Sequence, residues 1–253
     1  MLLPISWLKE YVDIRLPLKQ LMWKLTEVGL TCETVKKVGD EEILDVEVTA
    51  NRPDWMSIVG VAREIAAIQG LKIRQPKIKS LPAQTAKFPI DLVPDYHLFE
   101  RWTGIIIKGV EIKASPKWLK ARIISMWHTP INNIIDITNY VMYELGIPMH
   151  AFDYDEIYGQ IMTLQLSKGG EKFTSVDRLD YTLPKDAMII KDAERLIDLA
   201  GIKGGINSCI KEATKNIFLH VTIDNPVLVR RTSQGMGLRS DASAIYERGP
   251  DKG

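Results

Sequence analysis

The chain has 253 residues, 45% of them hydrophobic and 26% charged, enough for one or two domains with a real apolar core. A formal charge of +1 gives no general field to gather nucleic acid, so any RNA contact has to be local. Cys32 and Cys209 stand in no metal or redox spacing, no run approaches the roughly 20 apolar residues of a membrane span, and the start lacks a signal-peptide pattern. A cytoplasmic location with no membrane partner is the expectation.

The first unit, residues 1–71, reads as helix, helix, strand, strand, helix. Pro17 suits the first turn of a helix that turns Leu18, Leu21, Met22, Leu25 and Val28 inward and closes at Gly29. Residues 43–49 alternate apolar and polar as a half-buried strand does. Asp54 then caps a helix whose apolar positions include Trp55, Ile58, Val59 and Ala62 and which ends at Gly70.

Residues 72–89 carry Lys72, Arg74, Lys77, Lys79 and Lys87, three prolines (76, 82 and 89) and no acid. This pattern predicts a solvated linker, with contact to a tRNA backbone as the competing use.

The second unit, residues 90–253, reads as mixed α/β. Strands are expected at 103–110, 161–166, 187–191 and 216–223. Ser115 and Pro116 mark the start of one helix, with serine as cap and proline at the first helical position. A second helix covers 134–145 and stops near Gly146. Residues 167–183 predict paired strands around a Gly-Gly turn. In β geometry Phe218, His220 and Thr222 share one face of the last strand.

The chain has no G-x-S-x-G elbow, no phosphate-cradling G-x-x-x-x-G-K-[ST] loop and no H-E-x-x-H helix, and its four histidines are widely separated. No cofactor and no metal is expected. Chemistry on such a chain has to use a substrate that is already reactive, with the protein placing a water molecule. An aminoacyl ester on tRNA is one.

Six strings in order carry a resemblance over nearly the whole chain. They are ISWLKEYV, VTANRPDWMSIVGVAREIAA, PINNIIDITNYVMYELGIPMHAFD, GEKFTSVD, LAGIKGG and RRTSQGMGLRSDASAIYERGPD. Together they resemble the bacterial phenylalanyl-tRNA synthetase β subunit. The resemblance implies an α+β chain: a small winged-helix-like B1 domain, then a B3/B4 editing domain with a large mixed sheet. It further implies hydrolysis of tRNA(Phe) mischarged with tyrosine. Aminoacylation is not expected of this chain alone, because the family's adenylate site lies on the α subunit.

Carried over by position, His150 and Asn139 fall where catalysis is placed. Gly201, Gly204, His220, Ser240, Ala242 and Thr129 fall where the substrate is held. Ser240 stands where threonine is usual. Thr129 replaces an arginine, and His220 replaces the glutamate that senses the tyrosine phenol. At an ordinary histidine pKa of about 6.5, any tyrosine preference resting on His220 is expected to weaken as the pH falls. The resemblance also implies that a tRNA-binding OB insertion is missing between the halves of B1, and that everything after the editing domain is missing. The expected partners are therefore tRNA, bound weakly in isolation, and a synthetase α subunit if the chain is part of a longer one. The competing reading is a non-catalytic module that binds an amino acid or a protein partner with the same pocket.

Overall fold

Helical periodicity and one short alternating strand pair build the first 68 residues. The computed structural model describes residues 1–76, 78–80, 89–93 and 95–250. β1 (Leu2–Pro4) leads directly into α1 (Ile5–Tyr11), which buries Ile5, Trp7, Leu8 and Tyr11. α2 (Leu18–Glu27) starts immediately after Pro17 and turns Leu21 and Leu25 inward. Val28 lies beyond the last helical turn and is 42% exposed, contrary to the helical-face expectation. β2 (Thr31–Val38) and β3 (Glu41–Glu47) complete an antiparallel sheet of order β1-β3-β2.

α3 (Ile58–Ile68) is capped by Ser57, whose Oγ accepts from Gly60 N at 2.9 Å. Asp54, the expected cap, sits instead in a short 3₁₀ turn, where Arg52 donates to its carboxylate at 2.9 and 2.7 Å. Three helices on a three-stranded sheet match the winged-helix-like expectation.

Of the basic stretch that follows, Lys77, Pro82 and Lys87 lie outside the described residues. Arg74 is not free for phosphate. Its backbone N–H donates to Tyr11 O at 2.7 Å, Nε to Glu10 O at 2.9 Å and Nη1 to Asp13 Oδ1 at 2.8 Å.

The second unit opens with β4 (Asp91–Val93) and the long β5 (Phe99–Lys108). α4 (Lys117–Ser125) begins one residue after Pro116; Ser115 does not cap it but donates its hydroxyl to the buried Asp136 at 2.5 Å. α5 (Asn133–Leu145) is capped by Asn132 and ends on Gly146 at φ 76°, the left-handed geometry a C-terminal glycine provides. β6 (His150–Asp153) and β7 (Ile161–Leu166) follow. β8 (Lys172–Thr174) and β9 (Asp180–Thr182) form the expected hairpin, but its turn is residues 175–179, and Gly169-Gly170 precede it. β10 (Met188–Lys191), β11 (Leu196–Leu199), β12 (Lys203–Gly204) and β13 (Asn216–Asp224) complete the strands, before α6 (Pro226–Met236) and α7 (Asp241–Tyr246).

The strands form a mixed sheet of order β12-β11-β10-β7-β4, with β4 parallel to β7, and an antiparallel sheet of order β5-β13-β6. One apolar cluster, with Phe152, Met162, Ile189, Ile197, Leu199 and Phe218 at its centre, lies in this unit. The other fills the first unit and is continued by Met126, Met142, Tyr143 and Ile245 from the second. α5 and α7 therefore contribute side chains to the first core as well as flanking the cavity described next.

Candidate functional site

A cavity of about 1530 Å³ opens between α5, the strand face of β6 and β13, the turn after β11, and the start of α7. His150, Asn139, Gly201, Gly204, His220, Ser240 and Ala242 all line it, so residues up to about a hundred positions apart are brought to one space. Thr129 does not: it is exposed and outside the lining.

His150 and His220 sit directly opposite each other on β6 and β13, with ring centroids 6.0 Å apart and planes at 89°. His220 is 5% exposed, and Trp102 on β5 donates its indole N–H to His220 Nδ1 at 3.1 Å. That bond fixes the neutral tautomer with hydrogen on Nε2, so the ring offers its neighbours a donor. Burial, with a smaller push from His150, drives the His220 pKa down to about 3. The expectation of an ordinary titration near 6.5 is therefore overturned. With Nδ1 occupied by Trp102, the ring has no nitrogen left to accept from a phenol.

His150 is likewise driven down by burial, to about 4, and its Nε2 is sealed from solvent without a hydrogen-bond partner. The bare backbone of Gly204 makes room for it: a Cβ there would stand 2.4 Å from His150 Cε1. Gly201, at φ 71°, would place a Cβ 2.9 Å from Val229 Cγ2 and 3.0 Å from Asp224 Oδ2. The resemblance suggested that these glycines let a ligand approach; in the fold they also admit the protein's own side chains.

Ser240 caps α7. Its Oγ accepts from Ser243 N at 3.1 Å and donates to Ile202 O at 2.8 Å, tying the helix to the turn after β11. Its hydroxyl is committed to the fold. Asn139, half-buried on α5, makes no side-chain hydrogen bond among the described residues, so its amide is available to the cavity.

Several groups escaped the sequence reading. Asp224, the last residue of β13, lies just past a register shift against β5 at Ile223/Asp224, and it lines the cavity beside His220 and Thr222. It is 1% exposed, and neither carboxylate oxygen has a hydrogen-bond partner. Burial raises its pKa to about 7, against a smaller opposing pull from Thr222. Asp198 on β11, an acid inside an apolar run, is 5% exposed and is raised by burial and by Asp224. Tyr246 meets Thr222 Oγ1 at 3.2 Å and donates to Pro148 O at 3.3 Å beside this pair. At the rim, Tyr143 Oη donates to Asp241 Oδ2 at 2.6 Å and lies 2.5 Å from His128 Nε2, which is itself 2.9 Å from Asp241. No group of three or more His, Cys, Asp or Glu poised to hold a metal occurs among the described residues, and no helix there is long and apolar enough to cross a membrane.

Comparison with known proteins places this arrangement. Residues 99–253 match the B3/4 domain family. Over 227 residues the chain is 38% identical to the phenylalanine–tRNA ligase β subunit of Carboxydothermus hydrogenoformans, covering 88% of this chain and 28% of the relative. With the Thermotoga maritima protein of the same name it shares 37% identity over 226 residues, 88% of this chain and 29% of that one. The chain thus spans less than a third of the length of these curated relatives. The N-terminal fragment of the phenylalanyl-tRNA synthetase β subunit from Pyrococcus horikoshii overlays 98% of this chain and 74% of its own, at a TM-score of 0.47 and 15% identity. The chain belongs to the B3/4 domain family and is similar over most of its length to part of the phenylalanine–tRNA ligase β subunit.

Proposed function

We propose that this chain is an aminoacyl-tRNA editing module, composed of a B1-like unit (residues 1–71) and a B3/B4 unit (residues 90–253), that binds the acylated 3′ end of a tRNA and hydrolyses its ester. The observation that carries the reading is the convergence of His150, Asn139, Gly201, Gly204, His220, Ser240 and Ala242 on one cavity of about 1530 Å³. That exceeds the roughly 300–1,000 Å³ of an ordinary small-molecule site and leaves room for a nucleoside carrying an amino acid.

Within it, His150 and the Asn139 amide position a water against the ester carbonyl. A neutral imidazole with a pKa near 4 is a weak base at physiological pH, so the rate comes from placement rather than strong proton abstraction. His220 donates where an ionised glutamate would accept, so the preferred acyl group carries a hydrogen-bond acceptor at that point. Contact with tRNA is weak in isolation, since the net charge is +1 and Arg74 is clamped onto α1. A synthetase α subunit is the protein partner this reading implies, and the cytoplasm is the location it implies.

The test is deacylation of a panel of mischarged tRNA(Phe), Tyr-tRNA(Phe) included, by the intact chain. Hydrolysis above the spontaneous rate, cut at least about tenfold by His150→Ala and by Asn139→Ala, supports the module. Absence of hydrolysis with every acyl group sinks it. It would leave the second reading, a non-catalytic binding module, which the exposed position of Thr129 and the occupied acceptor of His220 favour.

A further inference from the structure

Among the described residues, Gln160, Arg178, Asp186 and Trp127 are non-glycines with positive φ. The first three are polar; Trp127, at φ 62°, is a bulky aromatic in a conformation such side chains rarely adopt. The end of α4 imposes it. Trp127 N–H donates to Ile124 O at 2.9 Å, and His128 N–H donates to Ile123 O at 3.1 Å. This pair of bonds closes a helix through a left-handed residue just past its cap, a position that glycine ordinarily fills. Here the chain holds an indole at that point.

Burial does not account for it, because Trp127 is 57% exposed. Lys36 of β2 lies over the ring, its Nζ 3.9 Å from the centroid, and is itself held by Asp45 at 2.6 Å. A single cation–π contact at an exposed site is a modest gain, and it does not call for tryptophan in left-handed backbone. Strain of this kind persists where a side chain is needed at one place.

That place is the wall of the cavity, where Lys36 of the first unit meets the end of α4. Asn139 and Tyr143 sit on successive turns of one face of α5, about 6 Å apart along its axis. The Tyr143 ring is in turn 5.6 Å from that of His128, the neighbour of Trp127. The indole is thus displaced from Asn139 toward the exposed rim, outside the place that the ester occupies on the editing reading. What reaches the rim is the strand that carries the ester. An unpaired 3′ end presents its bases as flat π surfaces, and any base can stack on an indole. With Lys36 paired to Asp45, the rim here offers a ring rather than a free charge.

We propose that Trp127 is a stacking platform for an unpaired base of the tRNA 3′ strand, upstream of the acylated nucleoside, with Lys36 bracing the other side of the ring. The platform rests on the editing reading for its class of ligand, and deepens it by naming a residue that seats the strand.

The test uses unacylated RNA, so the fate of the platform is separable from that of hydrolysis. The single-stranded RNA ACCA, carrying a 5′ fluorescein, is titrated with the intact chain and followed by anisotropy. Trp127→Gly should weaken binding about tenfold, as expected for the loss of one stacked base. Glycine suits φ 62°, so this variant keeps its helix end, which an unchanged circular dichroism spectrum checks. Trp127→Phe should retain most of the affinity. An abasic site placed at each position in turn should, at one of them, abolish the difference between wild type and Trp127→Gly. The tenfold factor should be equal at about 50 and about 200 mM salt, since a stacked base neutralises no phosphate. Equal binding by wild type and Trp127→Gly overturns the platform. So does a loss with phenylalanine as large as with glycine, a difference that no abasic site removes, or no binding by wild type at millimolar protein. Should Trp127→Phe fail to fold, the glycine variant and the abasic probes still decide. If the RNA binds as expected while no mischarged tRNA is hydrolysed, the platform stands and the editing reading falls.

Discussion

Leu3, Leu8, Leu21, Leu25, Leu30, Leu44 and Ile58 are fully buried in the first core, and the polar groups around them are mostly spoken for. Ser57 caps α3, and Glu64 accepts from Arg52 Nη2 at 2.9 Å and from Trp55 Nε1 at 3.0 Å. The cavity of the second unit is the reverse. His150 Nε2 and both oxygens of Asp224 are buried and unpaired, and the lining mixes acids, imidazoles and bare glycine backbone. A chain that pairs all but a few polar groups in one region, Trp7 Nε1 being an exception there, and leaves several unpaired in another spends stability at the second, and such a place is where function is expected. Substitutions should therefore have opposite signs in the two regions.

The largest effect is expected in the first core. Trp7 is fully buried, stacks on Tyr140 of α5 at 4.8 Å and 16°, and lies beneath the Arg122 guanidinium at 5.3 Å. Trp7→Ala should cost about 3–5 kcal/mol in urea denaturation, through lost burial and the void left behind. Because the stack crosses from α1 to α5, the loss should be seen as one transition for both units. A change below about 1 kcal/mol would mean that this core does not hold the two units together.

In the cavity, removing a charge should help. Asp224 has a folded pKa near 7 against an unfolded value near 3.8. Its contribution to stability is therefore fully present below about pH 4 and is lost as the pH rises through about 7. His150 and His220 act in the opposite direction: their folded values lie below 6.5, so their contribution is lost as the pH falls below that value. Asp224→Asn isolates the acid. Relative to wild type the variant should gain stability between pH 4 and pH 8, by up to roughly 4 kcal/mol for a shift of about three units. A pH-independent difference would show that Asp224 is not held protonated by burial.

Ser240 joins the two regions, because α7 feeds Ile245 into the first core and caps itself at the cavity. Ser240→Ala removes the cap and the bond to Ile202 O, and should cost about 1 kcal/mol in thermal or urea unfolding. Ser240→Thr should restore it. If alanine costs nothing, the hydroxyl serves a ligand instead.

Much of this was legible in the sequence, and the remainder failed for identifiable reasons. Spacing gave α2, α5 and the strands at 161–166 and 216–223, because three-four and two-residue periods report which face is buried. The caps at Asp54 and Ser115 were misjudged: each is a good capping residue, but Arg52, two residues away, holds Asp54, and Asp136, 21 residues away, holds Ser115, a partner that no local pattern reveals. Motif order collected seven of the eight candidate site residues into one cavity, while Thr129 lies outside its lining. The electrostatics were not legible. Whether His220 titrates depends on Trp102, 118 residues away, and whether Asp224 is charged depends on the lids that Gly201 and Tyr246 place over it.

The smallest expected effect is a null one, and it tests the cavity most directly. A histidine at an ordinary pKa would gain a proton between pH 8 and pH 5.5, change from one donor to two, and alter any selectivity resting on it. His220 cannot do this cheaply. Protonation would place hydrogen on Nδ1, where the Trp102 indole already donates at 3.1 Å, and would bury a cation 6.0 Å from the His150 ring. Burial of the cation is the larger cost and the neighbouring His150 the smaller one, and together they hold the pKa near 3. In an imidazole ¹⁵N correlation spectrum the His220 signals should keep the pattern of a neutral ring, with Nδ1 accepting and Nε2 protonated, across that whole range. Trp102→Phe removes the donor to Nδ1 while keeping an aromatic ring, and should let the two tautomers mix and raise the pKa. A wild-type midpoint near 6.5 would show that His220 is solvated rather than buried, and the donor wall of the cavity would have to be redrawn.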